Sequence, residues 1–314
     1  MYVSLFLEAL FILVAFAIAA EFMGRATESL EGKMGQGVAG GVVLGLLNAM
    51  PEAIVVVIAT LHHSYAVAVG AALGGTILTF TIGLGSIGFA HFLRWRGDVK
   101  MKGDYRVDFN FLVLGMVMVA VALAYGKLDY ASGIPLIAVY AYYVWYRYAA
   151  VRPAHAKGRV VAKGYGLLRI AAYLAIGVLV IVALSEQLVS VVEGIAGAVG
   201  APTLWISLLI IPIASELPEI LSGYRLARGS EGGASTAIVS FAGGKLVNIT
   251  VLLGLIGMLS AYAVPLAGAL PELGGVLLAG LGGLVAMRNG RLALVGSCTV
   301  IALYFAIIIA TYVF

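Results

Sequence analysis

Apolar runs long enough to cross a bilayer recur along the whole chain, near residues 3–31, 37–61, 66–90, 109–126, 130–149, 166–198, 203–223, 234–259, 269–287 and 292–312. A helix needs about 20 such residues to cross about 30 Å of hydrocarbon. With 62% hydrophobic and only 11% charged residues, the chain lacks the polar surface that water demands. The runs do not alternate polar and apolar residues as barrel strands would. The expected fold class is therefore all-α, a polytopic membrane protein of ten transmembrane helices in the lipid bilayer. The first run has no basic segment before it and is longer than a signal core, so it reads as a retained span. Cys298 is the single cysteine, which excludes an intrachain disulfide, and it reads as a small packing residue.

The net charge of +4 has a topological cause. With the N-terminus outside, the segments after spans 1, 3, 5, 7 and 9 carry 17 of the 19 basic residues, among them Arg25, Arg94, Arg147, Arg225 and Arg291. That is the positive-inside bias of a threaded membrane protein. Both termini then face out, in what reads as the plasma (cytoplasmic) membrane. The run from Arg147 to Arg169 includes a basic cytoplasmic connection at 151–165, which reads as a topological anchor with a lipid-headgroup patch as the alternative, and no nucleic-acid partner is implied. AYYVWYRY at 141–148 reads as an interfacial aromatic belt. No soluble domain, protein partner or cofactor is implied. Lys127 falls in a short outer turn, while Lys245 lies inside an apolar run.

The chain also repeats itself. NAMPEAI at 48–54 is matched by SELPEIL at 215–221, an offset of 167. Gly74 and Gly75 with GLGSIG are matched by Gly243 and Gly244 with LLGLIG at an offset of 169, and Glu21 and Glu28 by Glu186 and Glu193 at 165. Three features in one order at nearly constant offset indicate duplication. The halves would span 1–150 and 166–314, with the motif regions at about 40–90 and 205–259. Five spans per half is an odd number, so the second half enters with opposite orientation. Inverted repeats with interrupted helices are the architecture of secondary transporters, which bind substrate near the midplane. Pro51 and Pro218 are expected to kink or break spans 2 and 7.

An ionised carboxylate at such depth costs roughly 2.5 to 3.5 kcal/mol on insertion scales. Glu52 and Glu219 therefore need a compensating role, and hard oxygen ligands suit Ca2+ or a similar inorganic cation. Asn48 and Ser215 lie one turn before them on the same helical face. Glu216, three residues before Glu219, is either a third carboxylate of the site or a gate. On the second element of each half, Thr76 and Thr79 correspond to Lys245 and Asn248. The preceding glycines allow close approach or an unwound turn. His62 and His63 read as solvated turn residues, and Glu21, Glu28, Glu186 and Glu193 as facing water or lining the access path.

ASELPEI at 214–220, with AALGGTILT and FAGGKLVNI as second elements, resembles the alpha repeats of the cation/calcium exchanger superfamily. The resemblance covers both repeats. It implies Ca2+ bound between Glu52 and Glu219 and exported against Na+ or H+ by alternating access, with long spans 1 and 6 sliding across the site. With the neighbours that helical spacing adds, the candidate metal set is Glu52, Glu219, Asn48, Ser215, Glu216 and Thr76, and the candidate ion-coupling residues are Lys245, Asn248 and Thr79. Lys245 departs from the pattern, standing where Asn or Asp is usual, and a protonated ammonium has no acceptor for a cation. It acts as a tethered cation, or releases a proton as the metal binds, or pairs with Glu216 or Glu219 as a structural ion pair. An enzyme is disfavoured, since HExxH is absent. A channel or uniporter on the same scaffold, or an exchanger for another cation, is the alternative.

Overall fold

The computed structural model describes residues 2–34, 42, 45–102, 105–150 and 166–313. The basic connection at 151–165 and most of the first turns of span 2 lie outside the described residues. The helices are α1 (Tyr2–Met34), α2 (Met50–Leu61), α3 (Tyr65–Leu78), α4 (Leu84–Trp95), α5 (Tyr105–Tyr125), α6 (Tyr130–Ala150), α7 (Leu167–Val199), α8 (Thr203–Gly229), α9 (Gly233–Val247), α10 (Leu253–Leu259), α11 (Leu270–Ala286) and α12 (Leu294–Val313). Two π-helical turns, Thr79–Gly83 and Asn248–Leu252, join α3 to α4 and α9 to α10. Tyr65–Trp95 and Gly233–Leu259 are thus single spans.

Among the described residues eight helices are long and apolar enough to cross a membrane. The other two spans are less obvious. One is α6, whose tyrosines lower its hydropathy, and the other is α2, preceded by a helical turn at 45–48 and a single turn residue, Ala49. The result is an all-helical integral membrane protein. Its centre is α3 and α4, where 94% of the most apolar window is buried, whereas α7 is only 17% buried there and faces outward. α1 and α7 pack on each other, with Leu7, Phe11, Leu168 and Leu179 exposed on their far sides. Cys298 corrects an expectation, since it is exposed on α12 rather than packed inside.

Of the two readings of the glycine-rich elements, close approach holds at Gly74 and Gly75. Unwinding does not, because each element stays helical and departs from α geometry only at its π turn. Such single π turns often occur at functional sites. Pro51 sits in the first turn of α2, where its missing N–H costs nothing. Pro218, however, does not break its helix, since α8 runs through both Pro212 and Pro218. Each proline removes a donor to the carbonyl four residues earlier, and surrounding helices make that tolerable inside a membrane protein.

The duplication is visible in the packing. A Cβ on Gly45 would touch the backbone of Gly243 at 3.4 Å, and one on Gly74 would meet Pro212, the residue matching Gly45 in the other half. Two short antiparallel ribbons repeat the relation. β1 (Val99–Lys100) pairs with β4 (Arg291–Leu292), and β2 (Lys127–Leu128) with β3 (Val264–Pro265). Each ribbon ties the connection after the third span of one half to that after the fourth span of the other. Val99↔Leu292 and Leu128↔Val264 thereby fasten the two halves at opposite ends of the bundle.

Candidate functional site

The first turn of α2, the middle of α8 and the junctions of α3 and α9 with their π turns meet inside the bundle. Glu216 is at the centre, fully buried, and its carboxylate forms an ion pair with the equally buried Lys245 ammonium. Its other oxygen, Oε2, accepts a hydrogen bond from the Thr79 hydroxyl at 3.0 Å. Lys245 also lies 3.5 Å from Glu219 Oε2. Glu52, buried at the start of α2, has Glu216, Lys245 and Ser215 as its polar neighbours, and Glu216 adjoins Glu219 as well. The sequence pairs Glu52 with Glu219 and leaves Glu216 between two roles, but in the fold Glu216 is the hub that joins them.

Several buried oxygens here have no partner. They are Glu52 Oε2, Glu219 Oε1, Thr76 Oγ1 and Asn248 Oδ1, with Asn248 Nδ2 alongside. A buried polar atom without a partner costs about 1–3 kcal/mol, so a group of them in one region of a bundle needs protons, water or a cation to satisfy it. Among the described residues no three carboxylate, imidazole or thiol groups close around a metal on their own. Ca2+ takes 6–8 oxygen ligands, so hydroxyls, amides, carbonyls or water would have to complete a shell. The donor set, two carboxylates with free oxygens plus neighbouring Thr and Asn oxygens, is chemically suited to a hard cation.

Ser215 is buried and donates to the Ile211 carbonyl at 3.1 Å. Asn48 stands one turn before α2, and its Nδ2 donates to Ser240 Oγ at 3.4 Å. Ser240 is a partner that sequence reasoning missed. Its match in the first half is Ala71, so no repeat signal marked it. Asn48, Ser215 and Glu219 line a cleft that also reaches Glu21 on α1 and Ser222 on α8. Glu219 is the exposed end of the cluster, with 13% of its side chain accessible, against none for Glu216 and Lys245. Glu21 pairs with Arg25 at 2.9 Å and Arg225 at 3.6 Å. Across the molecule, Glu186 of α7 approaches His62 at 3.8 Å, and Glu193 accepts from Ser64 at 2.7 Å. The Glu28 side chain lies outside the described residues.

The profile of the family described as Sodium/calcium exchanger protein matches residues 4–149 and 169–313, which is nearly the whole chain. The chain belongs to the sodium/calcium exchanger family. Membership makes it a transporter rather than an enzyme, with cations as its substrates. Among solved structures, an H+/Ca2+ exchanger, CAX, superposes with a TM-score of 0.78 at 17% identity, covering 98% of this chain and 86% of that one. Native YfkE gives 0.74 at 19% identity, covering 96% and 91%. The sodium-calcium exchanger NCX_Mj, soaked with Na+ and Ca2+, gives 0.66 at 16% identity, covering 98% and 97%. At these identities the likeness speaks for the exchanger fold of ten transmembrane helices. No curated protein sequence matches this chain.

Proposed function

We propose that this family member is a secondary active antiporter that exports Ca2+ in exchange for H+ or Na+ by alternating access. The observation that carries the reading is the set of unpartnered buried oxygens, Glu52 Oε2 and Glu219 Oε1 foremost, on elements related by the inverted repeat. Glu52 and Glu219 are the principal ligands, with Asn48, Ser215, Glu216 and Thr76 around them. Lys245, Asn248 and Thr79 set the coupling. Two carboxylates that take up protons when Ca2+ leaves would run a proton-coupled cycle, and the reading leans to H+ as the counter-ion. The H+/Ca2+ exchanger CAX and the sodium-calcium exchanger NCX_Mj span the same two choices.

The halves are taken as 1–150 and 166–314 about the basic connection at 151–165. Both termini are placed outside the plasma (cytoplasmic) membrane on the charge distribution. The test is 45Ca uptake into vesicles under separately imposed Na+ and pH gradients. Wild type takes up Ca2+ only against a counter-ion gradient, and Glu52→Gln loses roughly tenfold or more, the scale on which even outer partners of a bound metal act. Uptake unchanged by Glu52→Gln counts against the site. Current carried without a counter-ion replaces the antiporter by a channel.

A further inference from the structure

The three central carboxylates are not equivalent. Both oxygens of Glu216 are occupied, one by the Lys245 ammonium and one by the Thr79 hydroxyl. Glu52 and Glu219 each keep a free oxygen. The two halves differ at these positions. At the repeat offsets Glu216 corresponds to Ala49 and Lys245 to Thr76, so the first half lacks both members of the pair. Acid and base are present together or absent together, which keeps the formal charge of the site constant. Three carboxylates and one ammonium leave two negative charges, enough for one divalent cation. Without the ammonium there would be three, which one divalent and one monovalent ion would balance.

We propose that Lys245 is a specificity-determining residue, a tethered monovalent cation that holds the place beside Glu216 and Glu219 that a free Na+ would otherwise occupy. The site then takes a single divalent ion at Glu52 and Glu219 and is blind to Na+. An ammonium suits the role because it is a compact charge whose rotatable donors reach two carboxylates at once. This rests on the reading of the cluster as the transport site. It goes further in assigning the missing monovalent ion to the chain itself.

Saturable 22Na+ binding, measured on purified protein with 45Ca binding scored in parallel, tests it. Wild type and Lys245→Arg bind no Na+ at millimolar concentrations, whereas Lys245→Ala gains Na+ affinity by roughly tenfold or more. Adding Glu216→Ala to that variant removes the gain, because the uncompensated carboxylate is gone. A purely structural ion pair predicts loss of stability in Lys245→Ala but no Na+ binding. If that variant does not fold, Lys245→Gln takes its place. Wild type that binds Na+ in competition with Ca2+ overturns the proposal, as does a folded Lys245 variant that stays Na+-blind. Wild type that binds no Ca2+ removes the antiporter reading instead, and the Na+ arm still decides this one.

Discussion

At position 75 a methyl group would run into the Glu216 carboxylate and come within 2.9 Å of Asn248 Nδ2. Gly75 is therefore glycine for space, since its backbone is ordinary helix that any residue adopts. Its match, Gly244, is different, because a methyl there would meet only Glu219 Oε1 at 3.7 Å, an ordinary contact. Overpacking costs about 1–3 kcal/mol. If that falls on the geometry of the cluster, Gly75→Ala lowers 45Ca exchange by roughly ten- to hundredfold, at about 1.4 kcal/mol per factor of ten. Gly244→Ala stays within about twofold of wild type on the same argument, since its contact forces nothing to move. Equal losses in the two variants, measured at matched expression in vesicles, would show that the glycines act through helix packing alone. The repeat made both glycines visible in the sequence. Which of them faces the central carboxylate was not legible, because that depends on α8 passing closer to one than to the other.

α5 and α6 are held together by a buried charge that no periodicity announced. Asp108 accepts a hydrogen bond from the Tyr143 hydroxyl at 2.7 Å and forms an ion pair with the Arg147 guanidinium. The aromatic belt at 141–148 is thus only partly a belt. Tyr142, Trp145 and Tyr148 are exposed as expected, while Tyr143 turns inward. Arg147→Met strands a buried carboxylate, a change that costs about 3–5 kcal/mol where such pairs have been broken. The thermal midpoint in detergent should drop clearly. The double variant Asp108→Leu with Arg147→Met recovers most of the loss, since an apolar pair of similar volume is often no less stable than the ions. A midpoint unmoved by Arg147→Met would make the pair dispensable. Span number, order and approximate limits were legible, because apolar length and Lys and Arg placement are local properties. The π turns, the continuity of α8 through Pro218 and the ribbons joining the halves were not, because neighbouring helices decide them. Glu52, Glu219 and Lys245 stood out as charges in apolar runs. The central place of Glu216 needed the fold.

Among the described residues the two ends of the molecule are joined differently although its halves match. The cleft that reaches Glu219 is also lined by Glu21 of α1, which pairs with Arg25 and Arg225, so it adjoins these basic residues. At the other end, contacts of His62 and Ser64 with Glu186 and Glu193 tie the turn between α2 and α3 to α7. Each half thus uses its long first helix, α1 or α7, against the other half's proline-bearing helix or the turn beside it. If basic means cytoplasmic, the cluster is reached from inside. Ser222 lines the cleft one turn beyond Glu219 and serves as a reporter. In a Cys298→Ser background, Ser222→Cys should react with a membrane-impermeant thiol reagent in inside-out vesicles and resist it in right-side-out ones. Alternating access adds a second expectation: conditions that drive turnover expose the same thiol to the outer face for part of the cycle, so slow outer labelling appears only with Ca2+ and a counter-ion gradient present. Rapid outer labelling in the absence of both would contradict the sidedness drawn from the cleft and the basic residues, whatever ion is carried.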